Sequence, residues 1–188
     1  MKNFKIIDNL PVLDLMTDLT NLLNSNKVYW GKDNQICINA LPDAPEDFFA
    51  SCGSLIYDWD NSTTVTENGI EKRIVKKIEN PKKETDFSVL CSAFYGTYFE
   101  ELYSKLNSRF QLGRVRLMKS KPKTCLSWHI DSSPRIHYPI KTQEGCLMII
   151  EDEVQHLSKN TWWWTNTILP HTALNSSKED RIYLVVSI

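Results

Sequence analysis

From Gly113 to the C-terminus the chain is cut into short apolar or alternating runs, and this rhythm limits the fold more than any other feature. The runs cover 114–119, 124–130, 135–141, 146–151, 154–157, 161–165, 172–174 and 182–188, with turn-forming residues between most of them. Eight short strands separated by turns are the pattern of an antiparallel double-sheet fold, a jelly roll or barrel.

The preceding part reads differently. Leu10, Leu13, Leu15, Met16, Leu19, Leu22 and Leu23 fall largely on one helical face, with Asp8 and Asn9 as candidate caps. Weak alternation over 65–79 around Glu67-Asn68-Gly69 suits a hairpin, and 79–84 reads as a solvated loop. Leu90, Phe94, Tyr98, Leu102, Leu106 and Phe110 recur every fourth residue and predict a second helix over 88–109. Gly96 within it is a mild cost or a close-packing point. The expectation is one α+β domain with a mainly β core, in which residues 1–111 supply helical and loop elaboration and 112–188 the core.

Composition narrows the class without naming a function. Lys and Arg number 22 against 23 Asp and Glu, so the net charge of -1 lacks the basic excess of a nucleic-acid binder. No apolar run reaches the length of a membrane span, and the first residues lack a signal-peptide core. Cys37, Cys52, Cys91, Cys125 and Cys146 are odd in number, far apart and never C-x-x-C. They read as buried thiols in a reducing cytoplasm rather than as a zinc ribbon or disulfide framework.

All four histidines lie in the last third of the chain. His129 and Asp131 form an H-x-D pair whose side chains share one face of an extended segment. With a third ligand from a neighbouring strand, two imidazoles and a carboxylate occupy one face of an octahedron and leave the other open, the arrangement of non-haem Fe(II) oxygenases. Alone the pair is weak evidence, since four His and twelve Asp in 188 residues make a chance match common. Its neighbours strengthen it. His171 follows Pro170 near the start of a late strand, and Arg181 opens the largely apolar final one, where a guanidinium can grip a carboxylate in a bidentate fork.

Trp128-His129-Ile130-Asp131, Arg135-Ile136-His137 and the stretch from His171 to Arg181 together resemble the aspartyl/asparaginyl β-hydroxylase-like branch of the Fe(II)/2-oxoglutarate-dependent oxygenases. The resemblance covers roughly 112–188 and implies a double-stranded β-helix, which agrees with the strand count. It implies His129, Asp131 and His171 as iron ligands, and Arg181 as partner of the far carboxylate of 2-oxoglutarate. Arg135 and His137 are implied near the cosubstrate's metal-binding end, although His137 also suits a hydrogen-bonded core position. Ser120, Tyr138 and Tyr183 are each possible companions of Arg181, and His156 matches no motif position. The implied reaction uses 2-oxoglutarate and O2 to hydroxylate an aliphatic C–H, with an amino-acid side chain, free or in a peptide or protein, as substrate and succinate and CO2 released. Retention of Asp131 favours hydroxylation over halogenation by the same resemblance.

Two other classes fit part of the pattern. A cupin-like metal enzyme would keep His129, Asp131 and His171 without needing Arg181, and a non-catalytic β-fold binding module would need none of them. The run Trp162-Trp163-Trp164 must alternate across a strand, so it can fill the core on one face and pack beneath the N-terminal helices on the other.

Overall fold

The computed structural model describes residues 2–188 except Lys32. In chain order its elements are β1 (Phe4–Ile6), α1 (Leu15–Asn24), β2 (Gln35–Cys37), β3 (Asn39–Ala40), β4 (Tyr57–Glu67), β5 (Ile70–Lys77), β6 (Val89–Leu90), α2 (Tyr98–Asn107) and β7 (Val115–Ser120). There follow β8 (Thr124–Cys125), β9 (Arg135–Lys141), β10 (Cys146–Ile150), β11 (Glu153–Gln155), β12 (Trp163–Thr165), β13 (His171–Asn175) and β14 (Arg181–Ser187). Single 3-10 turns cover Glu84–Asp86 and Ser92–Phe94.

Two antiparallel sheets make the core of a double-stranded β-helix. The larger has the order β1-β12-β9-β14-β7-β2 and the smaller β11-β10-β13-β8. Register fixes which side chains face inward. Trp163 pairs with His137, His137 with Val185, Val185 with Arg116 and Arg116 with Cys37, so these five share one face of the larger sheet. That face meets the smaller sheet: Trp163, Tyr183 and Val185 pack with Met148 and Ile150 of β10. The opposite face carries Leu117, Ile136, Tyr138, Leu184 and Val186, which pack with Leu15, Leu19 and Leu22 of α1 and with Phe99, Leu102 and Leu106 of α2. The tryptophan run divides between the two layers as alternation requires. Trp162 lies under the helices and donates its indole N–H to Pro11 O at 2.9 Å, while Trp163 faces the smaller sheet.

The strands from β7 onward follow the sequence rhythm, except that the run 124–130 leaves the sheet after Cys125. The N-terminal part requires correction. The β core is not confined to 112–188, because β1 and β2 form the two edges of the larger sheet. The first helix starts later than its apolar face suggests. Pro11 disfavours helical backbone at Leu10, Asn9 sits at φ 62, and the cap is Asp14, which accepts from Thr17 N at 3.2 Å. The second helix is shorter than 88–109, because Gly96 at φ 75 breaks the chain direction before Thr97 caps α2. Nothing lies within 4 Å of a Cβ placed at Gly96, so this glycine serves backbone conformation and not close packing. The hairpin is longer than 65–79, and its turn uses Asn68 at φ 53 and Gly69 at φ 76, the left-handed pair that a two-residue turn needs. No helix among the described residues is long and apolar enough to cross a membrane.

Candidate metal centre

The backbone brings together two histidines that are 42 positions apart. His129 N donates to His171 O at 3.0 Å and His171 N to His129 O at 2.9 Å, an isolated antiparallel bridge that extends the β13 edge beyond β8. Their rings lie 4.1 Å apart between centroids. Asp131 N is anchored separately on Thr167 O at 2.9 Å. As a result, one ligand atom from each of His129, Asp131 and His171 falls within 4.8 Å of the others.

The tautomers follow from the hydrogen bonds. Nδ1 of His129 faces Ser127 O at 2.7 Å and Nδ1 of His171 faces Leu169 O at 3.0 Å. A carbonyl oxygen only accepts, so each Nδ1 carries a proton, and in the neutral ring Nε2 is then the atom with a lone pair for a metal. Burial holds the His171 imidazole below its ordinary pKa, which favours the neutral, ligating form. His171 is buried, Asp131 half-buried and His129 exposed, so the centre opens on one side.

A chain of charges supports the carboxylate. Arg135 Nε donates to Asp131 Oδ2 at 3.1 Å, and the Arg135 fork closes on Glu84, Nη1 to Oε2 at 2.8 Å and Nη2 to Oε1 at 2.9 Å. Arg114 reaches the same Glu84 at 2.7 Å through Nη2. Burial raises the Glu84 pKa, but the Arg135 and Arg114 charges outweigh it and hold the carboxyl at about 2. Arg135, which the resemblance implies near the cosubstrate's metal-binding end, thus makes its contacts with Asp131 and Glu84. A carboxylate of the chain itself already fills its fork, and its geometry is that of a positioning residue for Asp131.

Arg181 differs. It is buried at 6% exposure, with Nη2 on Ser120 Oγ at 2.8 Å, Nη1 at 3.5 Å from Leu174 O, and the guanidinium 4.8 Å above the Tyr183 ring. Its Nε has no protein partner. Glu179, two residues before Arg181, pairs with Lys141. Of the three candidate companions, Ser120 and Tyr183 meet Arg181, whereas Tyr138 belongs to the helix-facing layer. His137 lies on the inner face, where burial and then the Arg181 charge lower its pKa to about 3. The Thr165 hydroxyl donates to Arg135 O and so accepts from His137 Nδ1 at 3.1 Å, leaving Nε2 of a neutral imidazole as an acceptor. His156 is engaged apart from the site, with Nδ1 on Cys146 O at 2.9 Å.

A family model described as Aspartyl/Asparaginyl beta-hydroxylase matches residues 70–188. The chain belongs to this family. One hydroxylase relative is the L-proline cis-4-hydroxylase of Rhizobium meliloti (strain 1021), 27% identical over 78 residues, which cover 38% of this chain and 28% of the relative. The match thus spans little more than a quarter of that protein's length. Among solved structures, the viral collagen prolyl hydroxylase of Paramecium Bursaria Chlorella virus-1 aligns at a TM-score of 0.46 and 10% identity, over 100% of this chain and 97% of that one. A 2OG-Fe(II) oxygenase family member from Burkholderia pseudomallei aligns at 0.39 and 10% identity, over 67% and 71%. At these identities the likeness concerns the course of the chain alone.

The residues present fit Fe(II) and 2-oxoglutarate. The triad offers two imidazole Nε2 atoms and one carboxylate, a suitable donor set for Fe(II). The unpartnered Nε of buried Arg181 suits a carboxylate acceptor. Glu84 is the contributor that sequence reading misses, because it ends a charged, loop-like cluster and nothing local marks it as buried. Its only sequence signal is the presence of Arg114 and Arg135, two cations on inward positions that need a carboxylate from elsewhere.

Proposed function

We propose that the chain is an Fe(II)- and 2-oxoglutarate-dependent hydroxylase that acts on an aliphatic C–H of an amino-acid side chain, free or within a peptide or protein, and releases succinate and CO2. The observation that carries this reading is the convergence of His129, Asp131 and His171 within 4.8 Å in a chain whose buried Arg181 keeps an unpartnered Nε. Bound Fe(II), with 2-oxoglutarate and O2, supplies the oxidising chemistry. His129, Asp131 and His171 hold the metal, with both imidazoles fixed in one tautomer by backbone carbonyls. Arg181, with Ser120 beside it and Tyr183 beneath, binds the cosubstrate's far carboxylate. His137 stays neutral near pH 7 with Nε2 as an acceptor on the inner face, while Arg135 keeps Asp131 in place. We treat residues 1–188 as one domain, since a single apolar cluster joins α1 and α2 to the larger sheet.

The relative named L-proline cis-4-hydroxylase makes free L-proline the first substrate to assay, followed by free aspartate and asparagine and by peptides containing these residues. The test is formation of succinate from 2-oxoglutarate that requires added Fe(II) and O2 and increases with substrate. Arg181→Ala is expected to abolish 2-oxoglutarate binding while leaving metal binding intact. Metal binding without 2-oxoglutarate binding in the parent protein, or unchanged 2-oxoglutarate affinity in Arg181→Ala, would overturn the reading.

A further inference from the structure

Two cysteines far from C-x-x-C spacing meet at the β2 edge of the larger sheet. Cys37 and Cys52 are 15 positions apart, and their Sγ atoms lie 3.3 Å from each other. The segment carrying Cys52 lies against β2 through the bond from Cys37 N to Phe48 O, at 2.8 Å. Cys37 is buried, and the buried Ser51 hydroxyl donates to its sulfur at 2.9 Å. Its cross-strand partner is Arg116, a second source of positive charge. Cys52 is only half-buried and forms part of the wall of a cavity of about 530 Å³, which Tyr29, Gln35, Phe49, Gly53 and Trp59 also line. One thiol is therefore sheltered and stabilised as an anion, and the other is reachable.

We propose that Cys37 and Cys52 form a reversible disulfide, made and broken by exchange with a low-molecular-weight disulfide or thiol of the glutathione class that reaches Cys52 through this cavity. The two sulfurs share one proton. The Cys52 contact and the Ser51 hydroxyl lower the Cys37 pKa, and the same contact raises that of Cys52. As Cys52 Sγ attacks one sulfur of the incoming disulfide, the Cys37 thiolate takes up its proton as general base, so that Cys52–S–S–G forms and GS⁻ is expelled. That thiolate leaves with the proton from Cys37. The restored Cys37 thiolate then attacks Cys52 Sγ, the mixed bond breaks, and a second GS⁻ departs and is protonated by solvent. Two protein sulfurs are oxidised and one disulfide is reduced to two thiols.

The link would fasten the loop that anchors Arg114, whose Nη1 donates to the carbonyls flanking Cys52, Ser51 O at 3.0 Å and Gly53 O at 2.9 Å. Closing the covalent loop also restricts the unfolded chain, so the linked form should melt at a higher temperature than the reduced one. None of this depends on the hydroxylase reading, and the test needs no metal. The full chain is equilibrated in buffers of rising glutathione disulfide content, free thiols are trapped by alkylation, and peptides are mapped by mass. The expected result is a linked Cys37–Cys52 species that dithiothreitol reverses, while Cys125, exposed and alone, carries only a glutathione adduct. Cys37→Ala should lose the link and leave a lasting glutathione adduct on Cys52. If that buried substitution prevents folding, Cys52→Ser serves instead, and should lose the link with Cys37 left unmodified. The proposal fails if Cys37 and Cys52 of the native chain stay alkylatable in buffers that fully modify Cys125. It fails equally if the native chain retains the mixed adduct without ring closure, or if Cys37 takes glutathione in Cys52→Ser.

Discussion

Glu84→Gln tests the charge chain behind the metal centre. The substitution keeps shape and removes one negative charge that lies between two guanidinium groups, and Glu84 is 17% exposed against 9% for Arg114 and 2% for Arg135. The magnitude follows from the carboxyl's displacement from 4.5 to about 2. At about 1.4 kcal/mol for each tenfold change in proton affinity, that gap corresponds to roughly 3 kcal/mol. The cost of breaking a buried pair, about 3–5 kcal/mol, is consistent with it. For a chain of this length, the melting temperature should fall by about 6–12 °C, at about 2–4 °C for each kcal/mol. The pH dependence carries a definite sign. A carboxyl whose pKa is lowered on folding contributes fully above its unfolded value near 4.5, and loses that contribution as pH falls toward 2. Melting curves of parent and Glu84→Gln, recorded from pH 7 down to pH 3, should therefore draw together toward the acid end, with the gap at pH 3 roughly half that at pH 7 or less. A variant within about 1 kcal/mol of the parent at pH 7, or a constant difference between the two curves across that range, would refute the compensation argument.

Other perturbations follow from single contacts. Ser120→Ala removes the acceptor of Arg181 Nη2 and should weaken 2-oxoglutarate binding by about fivefold to tenfold in calorimetry, the equivalent of about 1 kcal/mol, with Mn(II) affinity unchanged. His129→Ala should reduce Mn(II) affinity by at least about a hundredfold, whereas His156→Ala, whose ring meets the backbone of Cys146, should leave it unaltered. Gly96→Ala forces a Cβ into a left-handed backbone with no clash against any neighbour, so a loss of about 1–2 kcal/mol in denaturant titration should come from strain alone.

The legible parts of the sequence were those governed by local periodicity. The run 135–141 became β9 with the same limits, because period-two alternation is a property of the strand itself. The H-x-D pair was readable for the same reason, but the His129–His171 bridge depends on a pairing across 42 positions that no local pattern encodes. Four-residue spacing from Leu90 to Phe110 was misleading. Leu90, Phe94, Leu102 and Leu106 do enter one core, yet they arrive there from a two-residue strand, a 3-10 turn and α2, and the break in the stripe leaves Tyr98 exposed with Phe99 buried in its place. Strands β1 and β2, at three residues each, carry too few alternations to be recognised. Glu84 was invisible because its burial comes from Arg114 and Arg135, which are distant in sequence and supply the attraction that overcomes desolvation.

The two faces of the larger sheet are chemically unlike, and this asymmetry accounts for how one layer serves both stability and chemistry. Register places Arg116, Trp163, Arg181 and Ser187 on the face toward the smaller sheet. Among the described residues, the buried side-chain polar atoms without a protein partner are Arg116 Nε, Trp163 Nε1, Arg181 Nε and Ser187 Oγ, all from that face. A buried polar group left unmatched costs about 1–3 kcal/mol, so four of them approach the whole net stability of an ordinary domain. The helix-facing side holds aliphatic and aromatic residues such as Leu117, Ile136, Leu184 and Val186, and contributes none of the four. Apolar burial beneath α1 and α2 thus offsets an inner surface rich in donors. Under the proposed function, such an interior would need only Arg181 to receive a small anion, while the molecule as a whole carries a net charge of only -1. Substitutions on the helix side should alter melting before they alter cosubstrate affinity, and inward-facing ones the reverse, because alternation assigns neighbouring residues of the same strand to different tasks.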